Sequence, residues 1–471
     1  MQNAFGHTRR LVPSEAGREA WRAEFVALSA LALPLVGTQI GQIAMMTTDV
    51  LMMGWIGPEA LAAGSLGASL HNTLWLFCLG VLVSTAALIA QARGAKDFRG
   101  VRRTVRQGLW IALLLAIPSC LVLWQTEPIL RLLGQDPEAS NLAQRYVRAE
   151  IWGFAPSLGF VVLRSFAAAM SRPQAPMVVM LLATVLNFPL NYVFMFGHLG
   201  FPAMGLVGAG VSTAIVQTLM FAALLGYLLS ERRFRRHRIL MRFWRPDWPR
   251  FKEILRLGVP IGLAILCEAS LFSVAAILIG WIGTAQLAAH AIVLQCASVS
   301  FMVPLGIGQA CTVRVGLAVG RRDRDGVARS GWAAIALGTV VMVFAALLFL
   351  LAPRLLTSAF IDLSLPANFE TLKYAVLLFA IAAAFQVFDG AQVAAAHALR
   401  GMSDTRGPLI IGVIGYWFIG IGSALLLGFQ FGLGVAGVWL GLVIGLAFAA
   451  FALIWRFVTH LGRSELPALV R

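Results

Sequence analysis

Three acidic residues stand in otherwise apolar runs: Glu268 within "AILCEASLF" (264–272), Asp389 within "FDGAQVAAAHALRG" (388–401), and Asp49 within "TDVLMMG" (48–54). An acidic side chain at the centre of a membrane helix costs about 3 kcal/mol on the insertion scale, so each needs something to neutralise it. The basic residues inside the apolar runs, Arg164, Arg256, Arg314 and Arg400, fall towards the run ends on one side. No Lys or Arg is expected at the depth of Glu268 or Asp389. The neutraliser is then a species that can leave: a proton, a sodium ion or a cationic substrate. A carboxyl in such surroundings can bind a proton near neutral pH. The competing reading is a permanently protonated acid hydrogen-bonded to a helix carbonyl.

Asp49 has polar company. Asn187 and Asn191, in "NFPLNY" (187–192), are four residues apart and share a helix face, and Thr213 enters the next apolar run at similar depth. Pro189 between the two amides frees a backbone carbonyl. One carboxylate with amide, hydroxyl and carbonyl oxygens suits a hard monovalent cation or a proton. The same residue types also serve as plain hydrogen-bonding glue between membrane helices.

Gln42, Met45, Met46 and Phe385 are candidates to line an adaptable substrate cavity. His71, His290 and His397 each read as a lone imidazole, packed and neutral. The five Cys (78, 120, 267, 296, 311) lack paired spacing and read as core thiols, with no metal site beyond a possible monovalent cation. The only Lys residues, 96, 252 and 373, sit in no phosphate-loop pattern, and there is no HExxH or nucleophile elbow. An enzyme is not expected, and no cofactor beyond the coupling ion.

These residues must be held by something that lives in lipid. Of 471 residues, 59% are hydrophobic and only 12% charged. The pattern predicts an all-α polytopic membrane protein with twelve spans, centred near residues 39, 78, 114, 155, 186, 218, 268, 301, 341, 387, 418 and 446. Basic clusters such as 93–106, 232–252 and 320–329 alternate with loops poor in Lys and Arg. The positive-inside rule places both termini in the cytoplasm, which accounts for most of the +16 charge without nucleic acid. The N-terminal stretch is polar, with no leader peptide expected. The expected divisions are an N-terminal segment (1–24), an N-lobe (25–230), a basic linker (231–253), a C-lobe (254–457) and a tail (458–471).

The chain is also internally repeated. "GWIGPEALAA" (54–63) returns as "GWIGTAQLAA" (280–289), and the same shift aligns Pro34 with Pro260 and "GAKDFRGV" (94–101) with "GRRDRDGV" (320–327). "MSRPQAP" (170–176) echoes "MSDTRGP" (402–408), and "GLVG" (205–208) echoes "GVAG" (434–437). Two six-helix units of the same orientation imply a pseudo-two-fold axis along the membrane normal, a transporter architecture. The charges are not repeated: Glu268 aligns with Gln42, and Asp49 with Ala275. The two lobes are expected to do different jobs.

Five motifs in order, "TDVLMMG", "NFPLNYVF" (187–194), "LVGAGVSTAIVQ" (206–217), "LCEASLF" (266–272) with "AAHAIVLQ" (288–295), and "FDGAQVAAAHALRG", resemble the multidrug and toxic compound extrusion transporters, in their NorM-type branch. The resemblance spans about residues 25–457. It implies a secondary antiporter of the bacterial inner membrane, working as a monomer, that expels amphipathic organic cations in exchange for sodium ions or protons. It also implies an N-lobe cation site at Asp49, Asn187, Asn191 and Thr213, a C-lobe site at Glu268 and Asp389, and a helix bend at Pro34. Related chains carry Tyr where Phe385 stands, so one possible sodium ligand is missing. The alternative, a flippase for lipid-linked oligosaccharides, needs a basic central cavity that the sequence does not offer.

Overall fold

The chain folds as twelve long helical spans, here in a computed structural model that describes residues 15–235, 239, 241 and 243–462. The spans are α1 (Gly17–Ile56), α2 (Pro58–Gly94), α3 (Phe98–Trp124), α4 (Pro137–Ala169), α5 (Gln174–Phe196) and α6 (Leu206–Ser230), then α7 (Trp248–Ile282), α8 (Thr284–Gly320), α9 (Arg324–Leu351), α10 (Pro366–Gly401), α11 (Arg406–Gln430) and α12 (Gly434–Gly462). All run 23–40 residues, enough to cross a bilayer core of about 30 Å. Each expected centre falls inside its own span. The first helix begins at Glu15 and the last reaches Gly462, somewhat beyond the expected lobe edges. Residues 1–14 and 463–471, and with them most of the expected N-terminal segment and tail, lie outside the described residues.

The repeat is visible in the backbone of the connections. Asp97 and Asp323 cap α3 and α9, each accepting a 2.8 Å bond from the amide three residues on, Gly100 and Gly326. Just before these caps, Lys96 and Arg322 both take φ 59°. Ser171 and Ser403 take φ 57° and 62° before α5 and α11, and Gly205 and Gly434 take φ 55° and 59° at the starts of α6 and α12. Left-handed conformations are disfavoured for Lys, Arg and Ser, so their recurrence at matched positions marks one connection scheme used twice.

The two lobes meet through α1, α2, α7 and α8 in the half of the bundle that holds Glu15 and Gly462. A Cβ on Gly80 would lie 2.5 Å from the Gly262 Cα, and one on Gly320 2.1 Å from the Gln91 carbonyl oxygen, so α2 touches α7 and α8 backbone to backbone. Polar ties cross in the same half. Glu24 accepts from Arg314 (Nε 2.9 Å, with Nη2 also in contact) and from Ser330 (2.7 Å). Gln91 donates to the Gly401 carbonyl and the Ser403 hydroxyl at 2.9 and 2.8 Å. In the opposite half, large side chains on α1 and α7 such as Met46, Trp55 and Trp281 are more than half exposed. The bundle is shut at the terminal-bearing end.

Pro34 and Pro260 both lie inside unbroken helices. Thr38 returns its hydroxyl to the Pro34 carbonyl at 2.9 Å. α11 differs from its partner α5: Val413–Ile421 and Leu426–Gln430 are π-helical. Widened turns of this kind displace the register of everything beyond them.

Candidate functional site

In the N-lobe the structure brings the four expected residues together. Asn191 Nδ2 donates to Asp49 Oδ1 at 2.6 Å and to Asn187 Oδ1 at 3.2 Å, and Thr213 Oγ1 lies 3.4 Å from Asp49 Oδ2. The i,i+4 spacing on α5 stacks the two amides, and both are fully buried. Asn187 Nδ2 and Asn191 Oδ1 are enclosed without a partner. A bare carboxylate turns amide N–H groups towards itself. A cation bound there would favour the reverse, with the Asn oxygens turned inward. The side-chain oxygens of Asp49, Asn187, Asn191 and Thr213 are therefore a donor set that one small cation could gather.

The carbonyl freed by Pro189 is not part of this set. Pro189 and Val185, whose carbonyl it frees, are both exposed while Asn187 and Asn191 are buried. Two residues along a helix are about 200° apart, so the proline faces the outside of α5.

In the C-lobe, Glu268 on α7 is half-buried and Asp389 on α10 is 4% exposed. Neither carboxylate makes an ion pair within 4.0 Å among the described residues. Arg400, about three turns beyond Asp389 on α10, is nonetheless close enough for its charge to act on Glu268. Its own guanidinium lies 3.2 Å from His397 Nε2. The expectation that the intramembrane Arg residues stay remote is thus corrected for this one, because a long side chain on a helix reaches back towards the N-terminus.

The sequence did not point to Tyr416 and Gln392. Tyr416, from the first π-helical stretch of α11, is 2% exposed and within electrostatic range of both Glu268 and Asp389. Gln392, one turn after Asp389, donates to the Tyr416 hydroxyl at 2.5 Å and leaves its own Oε1 without a partner. Phe385 cannot supply an oxygen, and the phenol of Tyr416 on another helix is engaged with Gln392. The one-turn spacing of Gln392 was a readable signal; the placement of Tyr416 was not.

The expected cavity lining divides. Met46 is 52% exposed and Gln42 half-buried, whereas Met45 packs in the N-lobe core and Phe385 in the C-lobe core. Phe385 sits edge-on to Phe272 and Trp439, each with ring centroids 6.0 Å away, so it braces α7 and α12. It does not line an open space. His290 stacks edge-on against Trp439, and both its nitrogens lack partners.

The count of three intramembrane carboxylates is also corrected. Glu24 lies within α1 and Glu150 within α4, and both are buried. Glu150 follows Arg145 and Arg148 in the sequence. Arg148 turns away to the Trp124 carbonyl at 3.2 Å.

Comparison with known proteins fits this layout. The MatE family profile matches residues 34–193 and 260–426, one segment in each lobe. A probable multidrug resistance protein NorM of Mesorhizobium japonicum is 48% identical, over 94% of this chain and 96% of its own length. Its counterpart in Brucella suis is 42% identical over 97% of each. Among solved structures, a multidrug resistance MATE family transporter in an outward-facing conformation superposes with TM-score 0.83 at 22% identity, covering 94% of this chain and 97% of that one. A eukaryotic MATE transporter does so with TM-score 0.83 at 20% identity, covering 93% and 96%. These last two likenesses concern the fold.

Proposed function

The chain belongs to the MatE family of membrane transporters, transport proteins and not enzymes, and we propose that it exports amphipathic organic cations in exchange for sodium ions or protons. The observation that carries this reading is a pair of separate carboxylate sites, one per lobe, neither with a basic side chain in contact. Bare acids deep in lipid are stable only while something charged or acidic visits them. The names of the curated relatives, multidrug resistance proteins, support export of foreign compounds.

The cycle follows from the shut end. With the termini in the bacterial cytoplasm, the closed half is the inner one and the carboxylates communicate with the outside. An entering cation discharges Asp49, or Glu268 with Asp389, and displaces the exported compound. Only then can the charge-compensated lobes rock so that the other end opens. The polar ties of Glu24 and Gln91 must break in that step.

Energetics decide how many ions are needed. One charge moving inward down 100 mV yields about 2.3 kcal/mol, which sustains a roughly fifty-fold gradient of a neutral compound. Exported against one monovalent ion, a monovalent cation cancels that term, leaving only the ion's concentration gradient. Two sites allow a second ion, which restores the electrical drive. No other cofactor is needed, and a single chain contains both sites.

The test is reconstitution in liposomes. A fluorescent organic cation should be driven across the membrane when a sodium or pH gradient is imposed, and not when neither is present. Movement indifferent to both gradients would refute the antiport reading.

A further inference from the structure

The seam between the lobes contains a positive charge with no acid to answer it. Arg164, near the end of α4, is 5% exposed. Its Nη1 donates to Gln39 Oε1 on α1 at 3.0 Å. Among the described residues no carboxylate lies within 4.0 Å of the guanidinium, and no charged group acts on it from further off. An arginine carries five N–H donors in a planar fork and keeps its charge at any physiological pH. A single amide oxygen leaves most of that fork unanswered, and a buried, unpaired charge is costly.

The guanidinium forms part of the wall of a small cavity, together with Leu35, Val83, Ser165, Gln309 and Thr312. Its volume is about 20 Å³, where one water needs about 10–15 Å³. Both lobes supply the walls: α1, α2 and α4 on one side, α8 on the other. The cavity belongs to the shut half. Val83 lies between Gly80 and Gln91 on α2, and Thr312 lies beside Arg314 on α8, all residues through which that end is closed.

The lining suits a negative guest. It contains no acid, and the Ser165 hydroxyl and Gln309 amide can donate. The Thr312 hydroxyl is already spent on the His397 carbonyl at 2.9 Å. A water in this space would accept from the guanidinium and leave its charge as it was. A small anion accepts from several donors and cancels the charge as well. The space is too small for phosphate, sulfate or a carboxylate ligand, which leaves a single halide ion, chloride being the commonest.

We propose that Arg164 anchors a chloride site in the seam, filled while the inner end is shut and emptied when the lobes part. The guanidinium and Ser165 hold the ion from the N-lobe and Gln309 from the C-lobe, so donors of both lobes meet on it. Chloride therefore stabilises the state whose walls it touches, through its greater affinity for that state. The site does not depend on which compound the protein exports.

The experiment heats purified full-length protein in detergent and follows unfolding by light scattering. Sodium chloride replaces sodium gluconate, an anion too large for the cavity, at constant sodium concentration and ionic strength. The unfolding temperature should rise with chloride and then saturate, as binding to the folded state requires, and bromide should substitute for chloride. In Arg164→Gln the temperature should be the same in both salts. No response in the unaltered protein, or a response undiminished in Arg164→Gln, would overturn the proposal. Should the variant fail to fold, the unaltered protein crystallised from sodium bromide with this end shut decides the matter. An anomalous bromide peak in contact with the Arg164 guanidinium is expected, and a cavity holding only water would refute the proposal. Refutation leaves the transport reading standing, because that reading is tested by cation gradients and not by halide.

Discussion

The two lobes share a scaffold and differ in how they hold negative charge. In the N-lobe, Asp49 is already caged by Asn191 and Thr213, with an orphaned amide atom on each Asn beside it. In the C-lobe, Glu268 and Asp389 make no direct polar contact among the described residues, and Arg400 acts on Glu268 only from a distance. A cage of one carboxylate, two amides and a hydroxyl favours a small dehydrated cation once the amides turn their oxygens inward. Two sparsely partnered carboxylates favour a proton, or an organic cation too large for a cage. Duplication provided the frame; the charged residues depart from its symmetry.

The comparison is easiest to break at the C-lobe. Glu268→Gln or Asp389→Asn should each reduce gradient-driven efflux to the level of protein-free liposomes, with gel-filtration behaviour unchanged. Full efflux in both single variants would remove the C-lobe from the mechanism. Asp49→Asn should weaken sodium binding about tenfold or more while leaving the response of Glu268 and Asp389 intact, by the usual scale of a charge-assisted site. Equal losses in both lobes would mean that the sites are not distinct.

Finer changes sharpen the contrast. Tyr416→Phe strands the Gln392 amide and should cost about 1–3 kcal/mol of stability or binding, read by thermal unfolding with and without substrate. Asn191→Ala removes one oxygen donor from the set that a cation at Asp49 would gather, so sodium affinity should fall several-fold. Phe385→Tyr should matter least for ions. Its ring is wedged between Phe272 and Trp439, so a hydroxyl there is expected to lower the melting temperature slightly and leave sodium dependence as it was. A clear gain in sodium dependence would show that the site reaches further up α10 than the geometry indicates.

Much of this was legible in the residue string because membranes impose simple rules. Span length, basic loops and the 226-residue echo between 54–63 and 280–289 follow from hydropathy and identity alone. The N-lobe cage was legible too, since i,i+4 amides on one helix need only one further helix to meet a carboxylate. The C-lobe was read less well. Tyr416 reaches its position through π-helical turns, and no residue type in Val413–Ile421 announces them. Phe385 was assigned to a cavity because rotation about a helix axis cannot be inferred when both flanking faces are apolar. Glu150 was not singled out, since its burial depends on packing between helices that the sequence does not display.

One consequence belongs to Gly80 and Gly262, where α2 and α7 touch through residues that bear no side chain. Smooth surfaces do not interlock. Two helices meeting this way can roll and slip past each other without first withdrawing knobs from sockets, so the sealed side resembles a bearing more than a weld. The grip then resides in a few breakable links, and the speed of switching becomes a property of those links instead of the whole interface.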